Sequence, residues 1–342
     1  MNKKKYKLLL SSYYFWPQIG GMETFAQLLA QELEKKNISI SVLTSTHYSG
    51  KEPFSFRVIR KINPFIVFHA TFQADVILHN HLSIKLCFAS ALLHKPYGII
   101  IQNWLSFKGF KGLLYKWILK KANIIIGVSQ AIADHLPYKA IVISNLYDNS
   151  LFDLAKEENR QKDLLFVGRM VDGKGAKDLL EAMMLLKQEN INLTASFVGY
   201  GPEEANLIAF VKANDLEQKV SILGPKTQQE VAELMKKHKI LVVPSIWNEP
   251  FGIVALEGIA SGCVVIGTEG GGLKEAIGPC GLTYPNGDVL QLANKIKELI
   301  KNPDLFNSLR LYAKDHLKRF TKEIIGENYY NVLQKILFES YS

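Results

Sequence analysis

Residues 244–257 read PSIWNEPFGIVALE and lie between two kinds of apolar pattern. The preceding run, Ile240–Val243, is short and β-branched, which predicts a buried strand that ends at the first proline of the segment. The second proline favours a helix that begins near Phe251–Gly252. Glu249 is therefore predicted in the loop that joins the strand to the helix, and Glu257 is predicted inside the helix.

The same order of strand, loop and helix repeats through the rest of the chain. Amphipathic patterns such as Met22–Lys36 separate short apolar runs that predict strands. These runs are Lys7–Tyr13, Ile38–Leu43, Asp75–Leu78, Tyr97–Ile101, Asn123–Val128, Ala140–Ile143, Asp163–Val167, Leu193–Val198, Val220–Leu223 and Cys263–Thr268. Because such alternation produces parallel sheets covered on both faces, we expect an α/β protein. The polar stretch Asp153–Asp163 predicts a linker, and Phe320–Phe338 predicts a long final helix.

Length and composition agree with two globular domains. The chain has 342 residues, of which 48% are hydrophobic and 21% charged, so it can bury sizeable cores. Its three cysteines lie far apart, without the spacing of a zinc site or a disulfide framework, which indicates a reducing compartment. The first apolar run predicts a strand rather than a signal peptide, and no run reaches the ~20 residues of a membrane span. We therefore expect a cytoplasmic protein.

The positive charge of the chain lies in its first part. The net charge is +9, and residues 1–153 carry 18 Lys and Arg against 8 Asp and Glu, whereas the remainder carries 23 against 24. Such asymmetry indicates an anionic partner for the first part, such as a membrane surface, an acidic glycan or nucleic acid.

The stretch Trp104–Lys121 interleaves aromatic residues with five lysines. A helix here would carry Phe110, Leu113, Leu114 and Trp117 on one side and most of the lysines around the other. We expect that apolar side to pack into the core and the lysines to be solvated. The alternatives are a helix that lies on an anionic membrane surface and a nucleic-acid surface, although no nucleic-acid motif accompanies the patch.

Glycine-containing turns follow several of the predicted strands. Gly20 and Gly21 precede the first long helix, where close backbone approach and unpaired N–H groups suit a phosphate, although the pair alone is more typical of an ordinary turn. Gly168-Arg169 follows the first strand of the second half, and Lys174 stands before the next helix. Cations at the carboxyl end of a parallel strand stand where open α/β sheets bind ligands, but a solvated loop explains them equally well.

Three polar side chains stand in apolar surroundings. Glu257 needs a hydrogen-bonding partner, which could be a pair of sugar hydroxyls or an internal ion pair. His79 and His81 lie two residues apart on or just after a strand and are predicted to share a face and line a cleft, with a satisfied core histidine as the alternative. No further ligands cluster near them and the chain contains no Asp-x-Asp pair, so we expect no bound metal.

Taken in order, these features resemble the family 4 retaining glycosyltransferases (glycosyl transferase group 1), whose GT-B fold has two Rossmann-like parallel-sheet domains facing across a cleft. The matching segments are Phe15–Glu23, Asp75–His81, Asn123–Ser129, Asn145–Asp148, Gly168-Arg169, Lys174-Gly175, Gly199–Pro202, Pro244–Glu257, Gly271-Gly272 with Glu275, and the final helix. The resemblance implies an acceptor-side domain at 1–153, a donor-binding domain at 154–320, and a helix at 321–342 that crosses back to the first domain.

The resemblance also implies roles for particular residues. Arg169 and Lys174 would hold the diphosphate of a nucleotide-sugar donor and Glu249 would contact the donor sugar, so these three are the predicted catalytic residues. Further donor contacts are predicted at Gly20, Gly21, Gly168, Gly224, Phe251, Gly252, Ile253 and Glu257. Acceptor or sugar-positioning contacts are predicted at His79, His81, Gln102 and Asn103. The family often carries a histidine where this chain has Gln102, and a glutamine keeps a hydrogen bond but cannot titrate near neutral pH.

The expected function is transfer of a hexose-type sugar from a nucleotide sugar, with UDP favoured, to a saccharide or lipid-linked saccharide. The resemblance implies retention of configuration and no metal or other cofactor, and envelope polysaccharide or lipopolysaccharide synthesis would place the protein at the cytoplasmic membrane face. One alternative is a non-catalytic protein that binds a nucleotide sugar or an anionic lipid. Another is a different GT-B enzyme, such as a nucleotide-sugar epimerase.

Overall fold

The chain forms two compact units. A computed structural model describes residues 6–18, 20–153 and 160–341, with side chains as far as residue 338. The first unit comprises Met1–Leu146 and Lys322–Ser342, and the second comprises Tyr147–Thr321. The sequence placed these two changes of unit after residues 153 and 320. Most of the predicted linker, residues 154–159, lies outside the described residues.

The first unit is built on one parallel sheet. Its strands are β1 (Lys7–Ser12), β2 (Ser39–Leu43), β3 (Arg57–Ile59), β4 (Val76–Asn80), β5 (Tyr97–Ile101), β6 (Ile124–Gly127) and β7 (Ile141–Val142). Its helices before the change of unit are α1 (Gly21–Glu34), α2 (Pro64–Gln73), α3 (Ile84–Leu92), α4 (Gly109–Lys121) and α5 (Gln130–His135). The strand order is β3-β2-β1-β4-β5-β6-β7, and β4 and β5 are buried along their whole length. The carboxyl ends of β1, β4 and β5 therefore meet at one edge of the sheet.

The second unit repeats the architecture. Its strands are β8 (Lys162–Val167), β9 (Ala195–Val198), β10 (Val220–Ile222), β11 (His238–Val243), β12 (Val264–Thr268) and β13 (Gly281–Tyr284), in the sheet order β10-β9-β8-β11-β12-β13. Its helices are α6 (Ala176–Gln188), α7 (Glu204–Ala213), α8 (Gln228–Lys237), α9 (Ile253–Ala260), α10 (Leu273–Ile277), α11 (Val289–Lys301), α12 (Pro303–Leu311) and α13 (Ala313–Leu317). One-turn 3-10 helices lie at Asp172–Lys174, Gly278–Cys280 and Lys318–Phe320.

Most strands lie where the apolar runs predict them, and two edge strands were missed. β3 and β13 each pair with a single neighbour, β2 and β12 respectively. Both are short, and their residues are exposed or half-buried except for Tyr284. An edge strand has less need of a continuous apolar run, because part of its surface faces water. The apolar runs therefore predict every central strand and the edge strands β7 and β10, and they miss one edge strand in each sheet.

The final helix, α14 (Lys322–Tyr341), belongs to the first unit and packs against α1. The ring of Tyr329 lies edge-on to that of Phe25 at 5.8 Å, and both side chains are fully buried. Lys36 and Glu327 form an ion pair beside them. Among the described residues, no helix is both long and apolar enough to cross a membrane.

Helix α4 presents a different side to the core than the sequence predicts. Its buried residues are Gly112, Tyr115, Ile118 and Leu119. Phe110 is 76% exposed and Leu113 is 64% exposed, so the expectation that their side of the helix packs into the core is wrong. Gly112 approaches the backbone of Phe107 so closely that a Cβ would lie 2.3 Å from its carbonyl oxygen. This close approach requires glycine on the inner side and leaves Phe110 and Leu113 outside.

Candidate active site

The segment 244–257 forms the predicted loop and the start of the predicted helix, directly after the predicted strand. β11 ends at Val243 and α9 begins at Ile253, with Glu249 in the loop between them. The backbone carbonyl of Glu249 accepts a hydrogen bond of 2.7 Å from the N–H of Gly272. The side chain of Glu249 is only 6% exposed, so the loop turns this carboxylate inward rather than toward water. A buried carboxylate requires polar partners.

Three donors supply those partners, and all three reach the same oxygen. Oε1 of Glu249 accepts hydrogen bonds from Lys174 Nζ at 2.5 Å, Ser245 Oγ at 2.5 Å and Trp247 Nε1 at 3.1 Å. The ammonium of Lys174 also lies 5.1 Å from the centre of the Trp247 ring. The site therefore holds an ion pair, and an aromatic face covers its cation.

Lys174 reaches this position because two loops pack closely. The 3-10 turn Asp172–Lys174 ends at Gly175, whose φ is +68°. A Cβ on Gly175 would lie 1.8 Å from the carbonyl oxygen of Pro244, so a larger residue does not fit there. The carbonyl of Gly173 accepts a hydrogen bond of 3.0 Å from the N–H of Ile246. The loop after β8 is thus fixed against the loop after β11.

Arg169 lies in the same loop as Lys174 but outside the ion pair. It is the second residue after β8, and its side chain is exposed. Gly168 anchors the turn through a hydrogen bond of 3.0 Å from its N–H to the carbonyl of Val198. A guanidinium that is exposed to solvent has its N–H donors available to an anionic ligand.

Asn286 is a residue of this site that sequence reasoning missed. Its Nδ2 donates to the carbonyls of Ser245 at 3.2 Å, Ile246 at 3.1 Å and Trp247 at 3.1 Å. Its Oδ1 accepts from the N–H of Gly270 at 2.9 Å. One side chain thereby joins the loops that follow β11 and β12. The only local signal is the Asn-Gly turn that it begins, and its contacts lie 16 to 41 residues away.

Glu257 lies in α9 in a very different environment from Glu249. Burial, and to a lesser extent the nearby carboxylate of Asp148, raises the pKa of its carboxyl to about 7. The internal ion pair considered for Glu257 is absent among the described residues. A neutral carboxyl group both donates and accepts hydrogen bonds, so it can bind a hydroxyl group either as a donor or as an acceptor.

The residues at the start of α9 offer backbone rather than side chains. Phe251 is 1% exposed and its ring packs near Phe320, so only its backbone can meet a ligand. Gly252 has a φ of +106°, and a Cβ there would lie 2.5 Å from Leu273 Cδ1. Ile253 is the first residue of the helix, where the N–H groups lack helical partners.

The remaining predicted donor glycines lie in separate turns. Gly224 follows β10 with a φ of +66°, and a Cβ on it would meet no atom within 4 Å. In the first unit, Gly20 precedes α1 and its carbonyl accepts from the N–H of Thr24 at 3.0 Å, while Gly21 is the first residue of that helix. The predicted ligand contacts of these glycines stay predictions.

The two histidines do not share a face, contrary to the sequence expectation. His79 lies inside β4, is fully buried, and has its ring nitrogens 2.5 Å from Ser11 Oγ and 3.0 Å from Ser90 Oγ. Burial lowers the pKa of His79 to about 3, so the ring is neutral. His79 is therefore a core histidine with both ring nitrogens hydrogen-bonded, as the alternative interpretation expected. Neither nitrogen remains to bind an acceptor substrate. His81 follows the strand with a φ of +81°, which turns its side chain away from the alternation of β4.

A polar cluster does lie at the carboxyl ends of β4 and β5. Nε2 of Gln102 donates to Asn80 Oδ1 at 3.0 Å, and Nδ2 of Asn80 donates to Ser12 Oγ at 3.0 Å. Nδ1 of His81 accepts from the backbone N–H of Gln102 at 3.3 Å, and burial lowers the pKa of that imidazole to about 4. Asn103 is half-buried, and its Oδ1 accepts from the N–H of Trp104. Gln102 thus has a hydrogen-bonding role in the fold, and Asn80 is the member that sequence reasoning missed.

Comparison with known proteins gives a consistent family. Residues 150–316 match the model of the glycosyl transferases group 1. An uncharacterized glycosyltransferase of Methanocaldococcus jannaschii is 30% identical over 349 residues, which cover 93% of this chain and 95% of that protein. The sucrose-phosphate synthase of Thermosynechococcus elongatus has a TM-score of 0.84 at 20% identity, with 98% of this chain and 100% of that chain covered. The Anabaena protein HepE in complex with UDP-glucose has a TM-score of 0.80 at 19% identity, with 96% and 100% covered.

The chain belongs to the group 1 glycosyl transferases. Its two Rossmann-like units and the likeness to these solved structures give it the GT-B fold. The protein is therefore an enzyme, a glycosyltransferase. Among the described residues, no group of three or more His, Cys, Asp and Glu side chains is arranged to hold a metal ion.

Proposed function

We propose that this enzyme transfers a hexose-type sugar, with retention of configuration, from a UDP sugar to a saccharide or a lipid-linked saccharide. The observation that carries the proposal is the ion pair of Lys174 and Glu249, with Arg169 exposed in the same loop as Lys174. These groups lie beyond the carboxyl ends of β8 and β11, where open α/β sheets bind their ligands. Two cations suit a diphosphate, and a carboxylate suits sugar hydroxyls.

The reaction needs stabilisation of the departing diphosphate. As the bond between the anomeric carbon and the phosphate oxygen breaks, negative charge accumulates on that oxygen, and we propose that Lys174 and Arg169 stabilise it electrostatically. In the proposed front-face attack, the acceptor oxygen bonds to the anomeric carbon, and the departing phosphate oxygen takes the acceptor proton. These two cations would supply the positive charge that a divalent ion supplies in other enzymes, which is the basis for proposing a metal-independent reaction.

The choice of UDP is supported by the likeness to HepE, which was solved with UDP-glucose. A thermal-shift panel of UDP-glucose, UDP-galactose, UDP-N-acetylglucosamine and GDP-mannose tests this choice. A ligand at ~100 times its dissociation constant adds about 2.7 kcal/mol to the free energy of unfolding. We expect a UDP sugar to raise the melting temperature most. No shift with any nucleotide sugar would contradict the proposal.

A second assay separates transfer from binding alone. We expect UDP to be released from the selected donor much faster when saccharide or lipid-linked acceptors are present. Binding without any release of UDP would favour a non-catalytic protein instead. Conversion of the donor to a different nucleotide sugar would favour an epimerase.

We also propose that the first unit contacts an anionic membrane, where a lipid-linked acceptor would be found. Residues 61–121 contain eight lysines and a single carboxylate, Asp75. Helix α3 packs against both α2 and α4, so the three helices form one layer. Large apolar side chains project from this layer, with Phe65 79%, Phe72 69%, Phe110 76% and Leu113 64% exposed. Exposed aromatic side chains among lysines are typical of surfaces that bind anionic lipid.

Vesicle sedimentation tests the membrane contact. We expect binding to vesicles that contain phosphatidylglycerol, weaker binding at high salt, and little binding to pure phosphatidylcholine. Replacing Phe110 and Leu113 by serine should reduce binding. The matched control is Leu311→Ser, because Leu311 is 82% exposed on α12 of the second unit. Binding that ignores lipid charge and salt would contradict the proposal.

A further inference from the structure

Trp247 is an aromatic residue in the loop between β11 and α9, two residues before Glu249. Its indole N–H donates to Glu249 Oε1 at 3.1 Å, and Lys174 Nζ lies 5.1 Å from its ring centre. The residue is 37% exposed, although tryptophan side chains are highly buried on average. One side chain therefore touches both members of the ion pair that the proposed reaction uses.

These contacts constrain groups that would otherwise rotate. A lysine ammonium sits on a flexible four-carbon stem with three rotatable donors, and an aromatic face restricts where it can lie. A carboxylate has two oxygens with about four acceptor sites. Lys174, Ser245 and Trp247 all donate to Oε1 of Glu249, which sets the rotation of the carboxylate and directs Oε2 away from these donors.

The backbone of the loop is held without the indole. Asn286 donates to the carbonyl of Trp247 at 3.1 Å and to that of Ile246 at 3.1 Å. The N–H of Ile246 donates to the carbonyl of Gly173 at 3.0 Å. Since these bonds fix the course of the loop, the side chain of Trp247 is separable from its folding.

We propose that Trp247 is a positioning residue, whose indole N–H orients the carboxylate of Glu249 and whose ring orients the ammonium of Lys174. The inference rests on the proposed function, because those two groups are assigned there to the donor sugar and its diphosphate. The inference goes further than the proposed function, because the charges of Lys174 and Glu249 alone would not be sufficient for full turnover. Turnover depends on an uncharged side chain that aligns both of them before the donor binds.

Indole resonances test the hydrogen bond without any substrate. The chain has four tryptophans, and Trp247→Phe identifies the Trp247 signal in a spectrum of the protein labelled with 15N in its indoles. We expect Glu249→Gln to move that signal upfield, because the indole N–H loses its charged acceptor, and to leave the other three in place. A Trp247 signal that does not move in Glu249→Gln would overturn the inference.

Kinetics with UDP-glucose test the consequence for turnover, with melting temperatures to verify folding. Trp247→Phe keeps an aromatic face but loses the N–H, so we expect kcat to fall about tenfold with a small change in KM. Trp247→Leu loses both the N–H donor and the aromatic face, so its kcat should fall further than that of Trp247→Phe. In a Glu249→Gln background, Trp247→Phe should have little additional effect, because the residue acts through that carboxylate.

Three outcomes separate the inference from the proposed function. Normal kcat in a folded Trp247→Phe variant, or a full tenfold loss that persists in the Glu249→Gln background, would overturn the positioning role. If the wild-type protein neither binds nor turns over any nucleotide sugar, the proposed function fails. The indole spectrum then decides whether Trp247 orients Glu249.

Discussion

Glu249 and Glu257 belong to the same segment but have opposite surroundings. Glu249 receives three donors at one oxygen, so its buried charge is balanced. Glu257 lies in an apolar helix near a second carboxylate, Asp148, and both effects favour its neutral form. The segment PSIWNEPFGIVALE therefore carries a carboxylate paired with Lys174 in its loop and, in its helix, a carboxyl group whose pKa is raised to about 7.

The raised pKa of Glu257 predicts a change of stability with pH. Between an unfolded-state pKa of 4.5 and a folded-state pKa of about 7, the unfolded chain loses the proton first. The free energy of unfolding should therefore fall as pH rises through this window, by an amount on the order of 2 kcal/mol. Urea denaturation at pH 5 and pH 8 measures it, and Glu257→Gln should lack this contribution.

The matched control for that experiment is Glu217→Gln, which changes an exposed glutamate of the same unit. It should keep the wild-type dependence on pH. If Glu257→Gln and the wild type lose stability equally between the two pH values, Glu257 does not have the raised pKa.

At the level of elements, the ends of parallel strands bring the site together. The loops that follow β8, β11 and β12 carry Lys174, Glu249 and Gly272 respectively, and hydrogen bonds join them. The sequence predicts these loops because apolar runs and glycine or proline turns mark where each strand ends. Asn286 and Asn80 could not be predicted in this way, because their partners are distant in sequence and the signal is a hydrogen bond rather than a pattern.

The direction in which side chains point from a helix or strand was also harder to predict than the position of that helix or strand in the sequence. His79 and His81 were expected on one face, but the positive φ of His81 breaks the alternation after β4. Phe110 and Leu113 were expected in the core, but the close approach at Gly112 turns the other side of α4 inward. Backbone conformation and close packing decided both cases, and hydrophobicity alone does not encode either.

Asn286 gives a testable link between elements. Asn286→Ala removes the bonds to the carbonyls of residues 245–247 and to the N–H of Gly270, so we expect faster hydrogen exchange in the loops after β11 and β12. The unfolding free energy should fall by about 1–3 kcal/mol. Asn206→Ala is the matched control, since Asn206 is exposed on α7 and its side chain donates to Glu203, three residues away. Unchanged exchange in both loops would show that Asn286 does not join them.

At the level of the whole molecule, the two units differ in charge as well as in sequence. The first unit, including the final helix, carries 20 Lys and Arg against 9 Asp and Glu, and the second carries 21 against 23. The first unit is completed by α14, which follows the whole second unit in the chain. The first unit is therefore discontinuous in sequence, and its stability depends on contacts between its two ends.

Tyr329 of α14 tests that dependence. Its side chain is fully buried against Phe25, so Tyr329→Ala should destabilise the first unit by about 3 kcal/mol or more. Tyr329→Phe is the matched control, because the Tyr329 hydroxyl is buried and has no hydrogen-bond partner among the described residues, so its loss should cost nothing. Hydrogen exchange resolved by unit should show the alanine effect in the first unit and not in the second. An equal loss of protection from hydrogen exchange in both units would contradict the assignment of α14 to the first unit.

We propose that Arg169 and Lys174 of the second unit bind the diphosphate of a nucleotide sugar without a metal ion. Isothermal titration calorimetry of UDP-glucose in EDTA, on the wild type and on the folded Arg169→Ala/Lys174→Ala variant, measures this most directly. We predict binding by the wild type that added manganese does not strengthen, and a loss of about a hundredfold or more in the variant. Wild-type affinity in the double variant, or binding that appears only with manganese, would contradict the claim.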